Sequence, residues 1–141
     1  LTSNHGWDTI TNKEYLSDII TVFRDAGIRT SISVDPDVKM VEGAKLVGTD
    51  RIELYTESFA HLYDTDKNNS IAPFIAAAEK AKELELGLNA GHDLNLKNLE
   101  YCKNNLPNLF EVSIVHALVS DALYYGWENT IRMYRAELEY K

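Results

Sequence analysis

The chain has 141 residues, 45% of them hydrophobic and 26% charged, with a formal net charge of −8 at pH 7. This composition suits one globular domain with a sizeable core, is too short for two ordinary domains, and is not that of a disordered chain. The acidic balance disfavours nonspecific nucleic-acid binding, which needs clustered Lys and Arg to displace counterions, and no apolar run approaches the ~20 residues of a membrane helix.

Arg24, Arg29, Arg51, Arg132 and Arg135 are scattered among acids, an arrangement compatible with a small anionic substrate. Cys102 is the only cysteine and falls in a helix-like segment, so it reads as a structural thiol with no internal disulfide. Neither a basic stretch nor a signal-type apolar run opens the sequence, and a cytoplasmic location is the expectation. The opening "LTSNHGWD" lacks a methionine, and its Leu1-Thr2 reads as the end of a strand, which suggests a piece of a longer polypeptide.

Residues 11–26 place Tyr15, Ile19, Ile20, Val22 and Phe23 at helical spacing, with Gly27 where a helix stops. Residues 28–35 alternate and are β-branched, then break at Asp35-Pro36, where proline suits the first turn of a helix over about 37–47 that ends at Gly48. A second strand is predicted over 50–56, followed by a long acidic loop, "ESFAHLYDTDKNNS", and a long helix from about 70. "LGLNAG" is a third strand, "LKNLEYCKNN" a short helix and "LFEVSIV" a fourth strand; from His116 onward the chain is helical, interrupted at Gly126.

Strict alternation of strands and helices implies parallel strands joined by right-handed crossovers, hence an α/β fold. A doubly wound sheet and half of a (β/α)8 barrel both satisfy this order. Each strand delivers polar residues near its C-terminal end: Asp35; Glu53 and Thr56; Asn89 and His92; Ser113 and His116. A barrel directs all such ends around one pocket.

Glu53 lies between Ile52 and Leu54, so it faces a barrel interior if those neighbours face the helices. It is then either half of a structural ion pair with a cation on a neighbouring strand or a carboxylate acting on substrate. His92 follows a strand end and a glycine, where an imidazole titrating near neutrality can shuttle protons; the alternative is a solvated loop histidine. His116 opens a helix directly after the fourth strand, where unsatisfied amides attract an anion, unless it simply packs on Trp127 or a tyrosine. His5 and His61 are weaker candidates, the latter in the acidic loop, which reads as a lid or as solvated surface. The four histidines lie in separate segments without zinc-helix spacing, so no metal is expected, and there is no GxGxxG, P-loop or GxSxG. Tyr124, Tyr125, Met133, Tyr134 and Tyr140 read as a core or subunit stripe.

The segments "LTSNHGWD", "AGIRTSISVDPD", "GTDRIELYTESFA", "GLNAGHDLN" and "FEVSIVHALVSDALYYGWENTIRMY" resemble, in order and spacing, the second half of the pyridoxine 5′-phosphate synthase family. The resemblance implies a (β/α)8 TIM barrel, residues 1–141 supplying its C-terminal half, assembled into homo-octamers in the cytoplasm. It implies condensation of 1-deoxy-D-xylulose 5-phosphate with 3-amino-2-oxopropyl phosphate, releasing phosphate and water, with no cofactor. It further implies that Glu53 is the carboxylate near the reacting amine and carbonyl, that His92 transfers protons, and that Thr2 lies on a loop closing over the substrates. Amides around Asp93, Val115 and His116 match its phosphate-binding turns. The family commonly has glycine where this chain has Asp93 and Val115, and Glu-Gly-Gly where it has Asn4-His5-Gly6. The first half would supply further catalytic and arginine residues, so the isolated segment is expected to be inactive and to need that half as its partner. An inactive barrel relative and a small α/β phosphate-binding module are the alternative readings.

Overall fold

The computed structural model describes residues 4–139, so Thr2 and Tyr140 lie outside the described residues. Four strands, β1 (Ser31–Val34), β2 (Arg51–Tyr55), β3 (Gly87–His92) and β4 (Leu109–Ile114), form one sheet in the order β1-β2-β3-β4, every neighbouring pair parallel. The helices are α1 (Lys13–Asp25), α2 (Val38–Val47), α3 (Glu57–Leu62), α4 (Lys67–Glu83), α5 (Leu99–Asn105), α6 (His116–Tyr125) and α7 (Trp127–Leu138). A doubly wound sheet requires a reversal of strand order to place helices on both faces; strands running strictly in sequence keep every crossover on one side. The sheet is thus singly wound, and the doubly wound alternative does not describe it.

The side-chain pattern agrees. Ile32, Val34, Ile52, Leu54, Leu88 and Ala90 alternate along β1–β3 and are buried, joining Val41, Ala44, Phe74, Ala77, Ala78, Leu99 and Cys102 from the helical layer in one core. The opposite face carries Ser31, Ser33, Arg51, Glu53, Asn89, Glu111 and Ser113. A register shift between Leu88 and Asn89 leaves Phe110 of β4 without a partner on β3, and its ring stays exposed.

Three expectations from sequence need correction. Residues 28–30 do not belong to β1, which begins at Ser31; the chain there is still leaving α1, with Ile28 N–H donating to Phe23 O (2.9 Å) and Gly27 at φ +71°. Of the apolar residues on α1, Leu16 and Ile20 are buried, whereas Tyr15, Val22 and Phe23 are exposed. Tyr15 and Phe23, with Trp7, Ile19 and Ile28, line a groove of about 310 Å³ beside β1.

The acidic stretch after β2 is not a loop. Phe59, Leu62 and Tyr63 recur at i, i+3 and i+4, a helical signal that the surrounding acids and asparagines obscure, and α3 forms over Glu57–Leu62. Phe59 is fully buried, edge-on to Tyr63 (5.4 Å) and Phe74 (5.9 Å). Tyr63 meets Tyr101 at 5.7 Å, and Lys67 lies 4.6 Å over the Tyr63 ring. These contacts pin the segment to the core, leaving no lid there, and they place His61 in the last turn of α3. Helix α4 starts at Lys67 with Asp66 as N-cap, accepting from Asn69 N–H (3.1 Å), so Pro73 falls inside the helix rather than in its first turn.

The C-terminal helices split as the Gly126 break suggests. Tyr134 is buried and donates from its hydroxyl to Asp121 (2.7 Å), clamping α7 to α6, while Tyr124 and Tyr125 are exposed. The tyrosine stripe is therefore divided between core and surface. Among the described residues, no helix is long and apolar enough to cross a membrane.

Two outcomes follow from this packing. Phe59→Ala removes a ring filling a closed space and should cost roughly 3–5 kcal/mol of stability, read as a lowered denaturant midpoint; an unchanged midpoint would contradict the packing of α3. Burial pushes the Cys102 thiol up to about 12, so at pH 8 it holds its proton and should stay unlabelled by a disulfide reagent until the protein unfolds; rapid labelling of the native protein would contradict its burial.

Candidate functional site at the C-terminal ends of the strands

The polar face of the sheet is organised by β3. Its residues on this face are Gly87, Asn89 and Gly91, in register with Arg51, Glu53 and Tyr55 of β2 on one side. On the other side Asn89 opposes Glu111 and Gly91 opposes Ser113. The long β2 side chains cross β3 where it has no side chain of its own. A Cβ added at Gly87 would lie 2.6 Å from Arg51 Cγ, and one added at Gly91 would lie 3.1 Å from Glu53 Cδ and 2.8 Å from Ser113 Cβ.

Crossing at Gly87, the Arg51 guanidinium meets Glu111 of β4 at 2.8 Å, with Asn89 bonded to both partners and the Phe110 ring 5.3 Å away. Crossing at Gly91, Glu53 accepts a hydrogen bond from the Ser113 hydroxyl at 2.6 Å. The cation on β2 thus pairs with Glu111, and Glu53 has a neutral donor rather than the ion pair that one reading of the sequence envisaged.

The end of β3 is tied down by Thr56, which is fully buried. Its N–H (2.9 Å) and hydroxyl (2.7 Å) both donate to Gly91 O, and its Oγ1 accepts from Asp93 N–H (3.4 Å). Asn98, also buried, holds the following loop by accepting from Asn95 N–H (2.8 Å) and donating to Asp93 O (3.4 Å).

Between these anchors His92 adopts φ +105°, a conformation that L residues seldom take and that survives only where the surroundings enforce it. The turn brings its ring within 4.7 Å of Tyr55 and 6.4 Å of His116, centroid to centroid. Tyr55 shares its face with Glu53, so the imidazole sits on that side of the sheet. His92 Nδ1 lies 2.8 Å from Asp93 Oδ2; because a carboxylate can only accept, the ring carries its hydrogen on Nδ1. Burial, then the charges of Asp93, Glu57 and Asp35, push the Tyr55 phenol up, keeping it protonated.

His116 is the first residue of α6, and Val115 is its N-cap, without a side-chain capping bond. Val115 has φ −117° and ψ −81°, between the helical and extended regions, and its side chain is exposed. Asp35 Oδ1 accepts from Gly6 N–H (2.9 Å), and Trp7 N–H donates to Ser33 O (2.7 Å), bringing the N-terminal residues beside β1. His5 pairs with the neighbouring Asn4 on the surface. Among the described residues, no three His, Cys, Asp or Glu side chains are grouped to hold a metal.

His92, Asp93, Val115 and His116 therefore occupy the ends of β3 and β4 and the turns that follow them, and Glu53, at the middle of β2, reaches Ser113 near the end of β4 with its carboxylate. His5 and His61 lie elsewhere, and Thr2 is outside the described residues. Ser113, Thr56 and Gly91 are part of the same arrangement; in the sequence Ser113 and Thr56 register only as polar residues near strand ends, and Gly91 only as a flexible neighbour of His92. A carboxylate, an imidazole, a neutral phenol and a helix N-terminus gathered in this way can hold a phosphorylated molecule and move protons on it.

Comparison with known proteins places the chain in a family. Residues 1–140 match the family described as pyridoxal phosphate biosynthesis protein PdxJ. A protein from Flavobacterium johnsoniae named pyridoxine 5′-phosphate synthase is 58% identical over 139 residues, covering 99% of this chain and 59% of the relative. Its namesake from Cytophaga hutchinsonii is 57% identical over 139 residues, covering 99% and 58% respectively. That of Christiangramia forsetii is 55% identical over 134 residues, covering 95% and 56%. The chain spans less than two thirds of the length of these relatives, and it belongs to the PdxJ family of pyridoxal phosphate biosynthesis proteins.

Proposed function

We propose that this chain is the C-terminal portion of a pyridoxine 5′-phosphate synthase, forming half of a (β/α)8 barrel that closes with strands from the rest of the polypeptide. Two features support closure. The sheet is singly wound with a charged, hydrogen-bonding inner face, as a barrel arc is, and both of its sides present unpaired apolar surface: Trp7, Tyr15 and Phe23 beside β1, and Phe110 at β4. In this reading the partner of the segment is the N-terminal half of the same barrel, and the assembled enzyme is a cytoplasmic homo-octamer.

The reaction is the condensation of 1-deoxy-D-xylulose 5-phosphate with 3-amino-2-oxopropyl phosphate to pyridoxine 5′-phosphate, through a Schiff base, with release of one inorganic phosphate and of water and without a cofactor. Glu53 faces the reacting amine and carbonyl and stabilises the positive charge that develops there. His92, its Nδ1 committed to Asp93, presents Nε2 to the substrate to give and take protons as water leaves. Amides around Asp93, Val115 and His116 bind a substrate phosphate beside the start of α6, and Thr2 belongs to the covering loop. Asp93 adds a like charge near that phosphate, yet its carboxylate is turned onto His92. Val115→Gly opens the phosphate turn and should strengthen substrate binding.

The observation that carries this reading is the position of Glu53 and His92 on one face of adjacent strands, in a chain of this family. In the complete enzyme, Glu53→Gln and His92→Ala should each lower kcat for pyridoxine 5′-phosphate formation by at least about a hundredfold while leaving the circular dichroism spectrum unchanged. Near-normal turnover in either variant would refute the assignment. The isolated 141-residue segment should be inactive and regain turnover only with its companion half; turnover by the segment alone would refute the division of the barrel.

A further inference from the structure

Glu53 needs a partner that aims it. Its strand, β2, and the strand bearing its partner, β4, are separated by β3, so the two backbones are about 10 Å apart. A glutamate on β2 reaches β4 only over a residue without a side chain, and Gly91 is that residue. Ser113 is in register with Gly91 and with Tyr55 beyond it, one step nearer the strand ends than Glu53 itself. The carboxylate therefore leans toward His92 as it crosses. Ser113 donates its one hydroxyl hydrogen to Oε2 at 2.6 Å, a short charge-assisted bond, while Oε1 accepts no hydrogen bond among the described residues.

We propose that Ser113 is a positioning residue for the reaction: its hydroxyl, reached through the gap at Gly91, fixes one carboxylate oxygen of Glu53 and leaves the other directed at substrate. This rests on the reading that Glu53 acts on substrate. Ser113 fills no core space, because its side chain lies on the polar face, away from the buried cluster. Its loss should therefore touch catalysis and spare stability.

The test uses the complete enzyme and three variants. Ser113→Ala should lower kcat roughly ten- to a hundredfold, the scale of losing one hydrogen bond to a charged group, with KM within about twofold and an unchanged denaturation midpoint. Ser113→Thr, which keeps a hydroxyl on the same carbon, should recover most of that loss. Gly91→Ala, whose methyl would meet Glu53 Cδ and Ser113 O, should lower kcat as Ser113→Ala does and also lower the midpoint. If Ser113→Ala keeps full kcat while Glu53→Gln abolishes it, the inference falls and the assignment of Glu53 stands. If Glu53→Gln keeps full kcat, both fall. A rise in KM without loss of kcat, or a Thr variant as impaired as the Ala variant, would likewise overturn the inference.

Discussion

Arg51 and Glu53 leave β2, pass over β3 and find their partners on β4, and this is possible only because β3 carries glycine at both crossing points. A methyl at either place would sit inside ordinary contact distance of the crossing side chain. The constraint sorts the inner face into two levels. At the lower level Arg51, Asn89 and Glu111 satisfy one another, so that the charges brought to this face are paired. At the upper level Glu53 is held, among the described residues, by a hydroxyl, which leaves carboxylate chemistry available toward the strand ends.

The other face of the sheet supplies the rigidity this arrangement needs. Ile52 and Leu54 are fully buried beneath Glu53, and Leu88 and Ala90 beneath the glycines of β3, so the strands that carry the site are anchored by close packing on their far side. Thr56 and Asn98 then hold the end of β3 and the loop beyond it, and the unusual backbone at His92 is maintained between them. Apolar surface left bare at both sides of the sheet lies along the boundary of the packed unit, consistent with a chain that covers under two thirds of its relatives' length.

Much of this is legible in the amino-acid order. Alternation of β-branched and amphipathic segments specifies four parallel strands, and the flanking Ile52 and Leu54 specify which way Glu53 faces. What stays hidden depends on contacts between distant residues. Helix α3 is obscured because its apolar residues sit among acids, and the burial of Phe59 and Tyr63 is decided by Phe74 and Tyr101, residues more than ten positions away. The exposure of Tyr15 and Val22 on α1 cannot be read from periodicity, which marks an apolar face without saying what covers it. The role of Gly91 is equally non-local: "NAG" before a histidine suggests backbone freedom, whereas the structure uses the missing side chain as a passage between β2 and β4. The Ser113 to Glu53 bond joins residues sixty positions apart and has no local signature.

The proposed reaction requires the strand ends to converge on one pocket that takes an anion. Its most direct test is a crystal structure of the complete polypeptide soaked with inorganic phosphate and then with a phosphorylated substrate. The account predicts an anion held by the amides around Asp93, Val115 and His116, with the His92 ring and the Glu53 carboxylate both facing the organic substrate. An anion bound elsewhere, or Glu53 and His92 turned to opposite sides of the sheet, would contradict it.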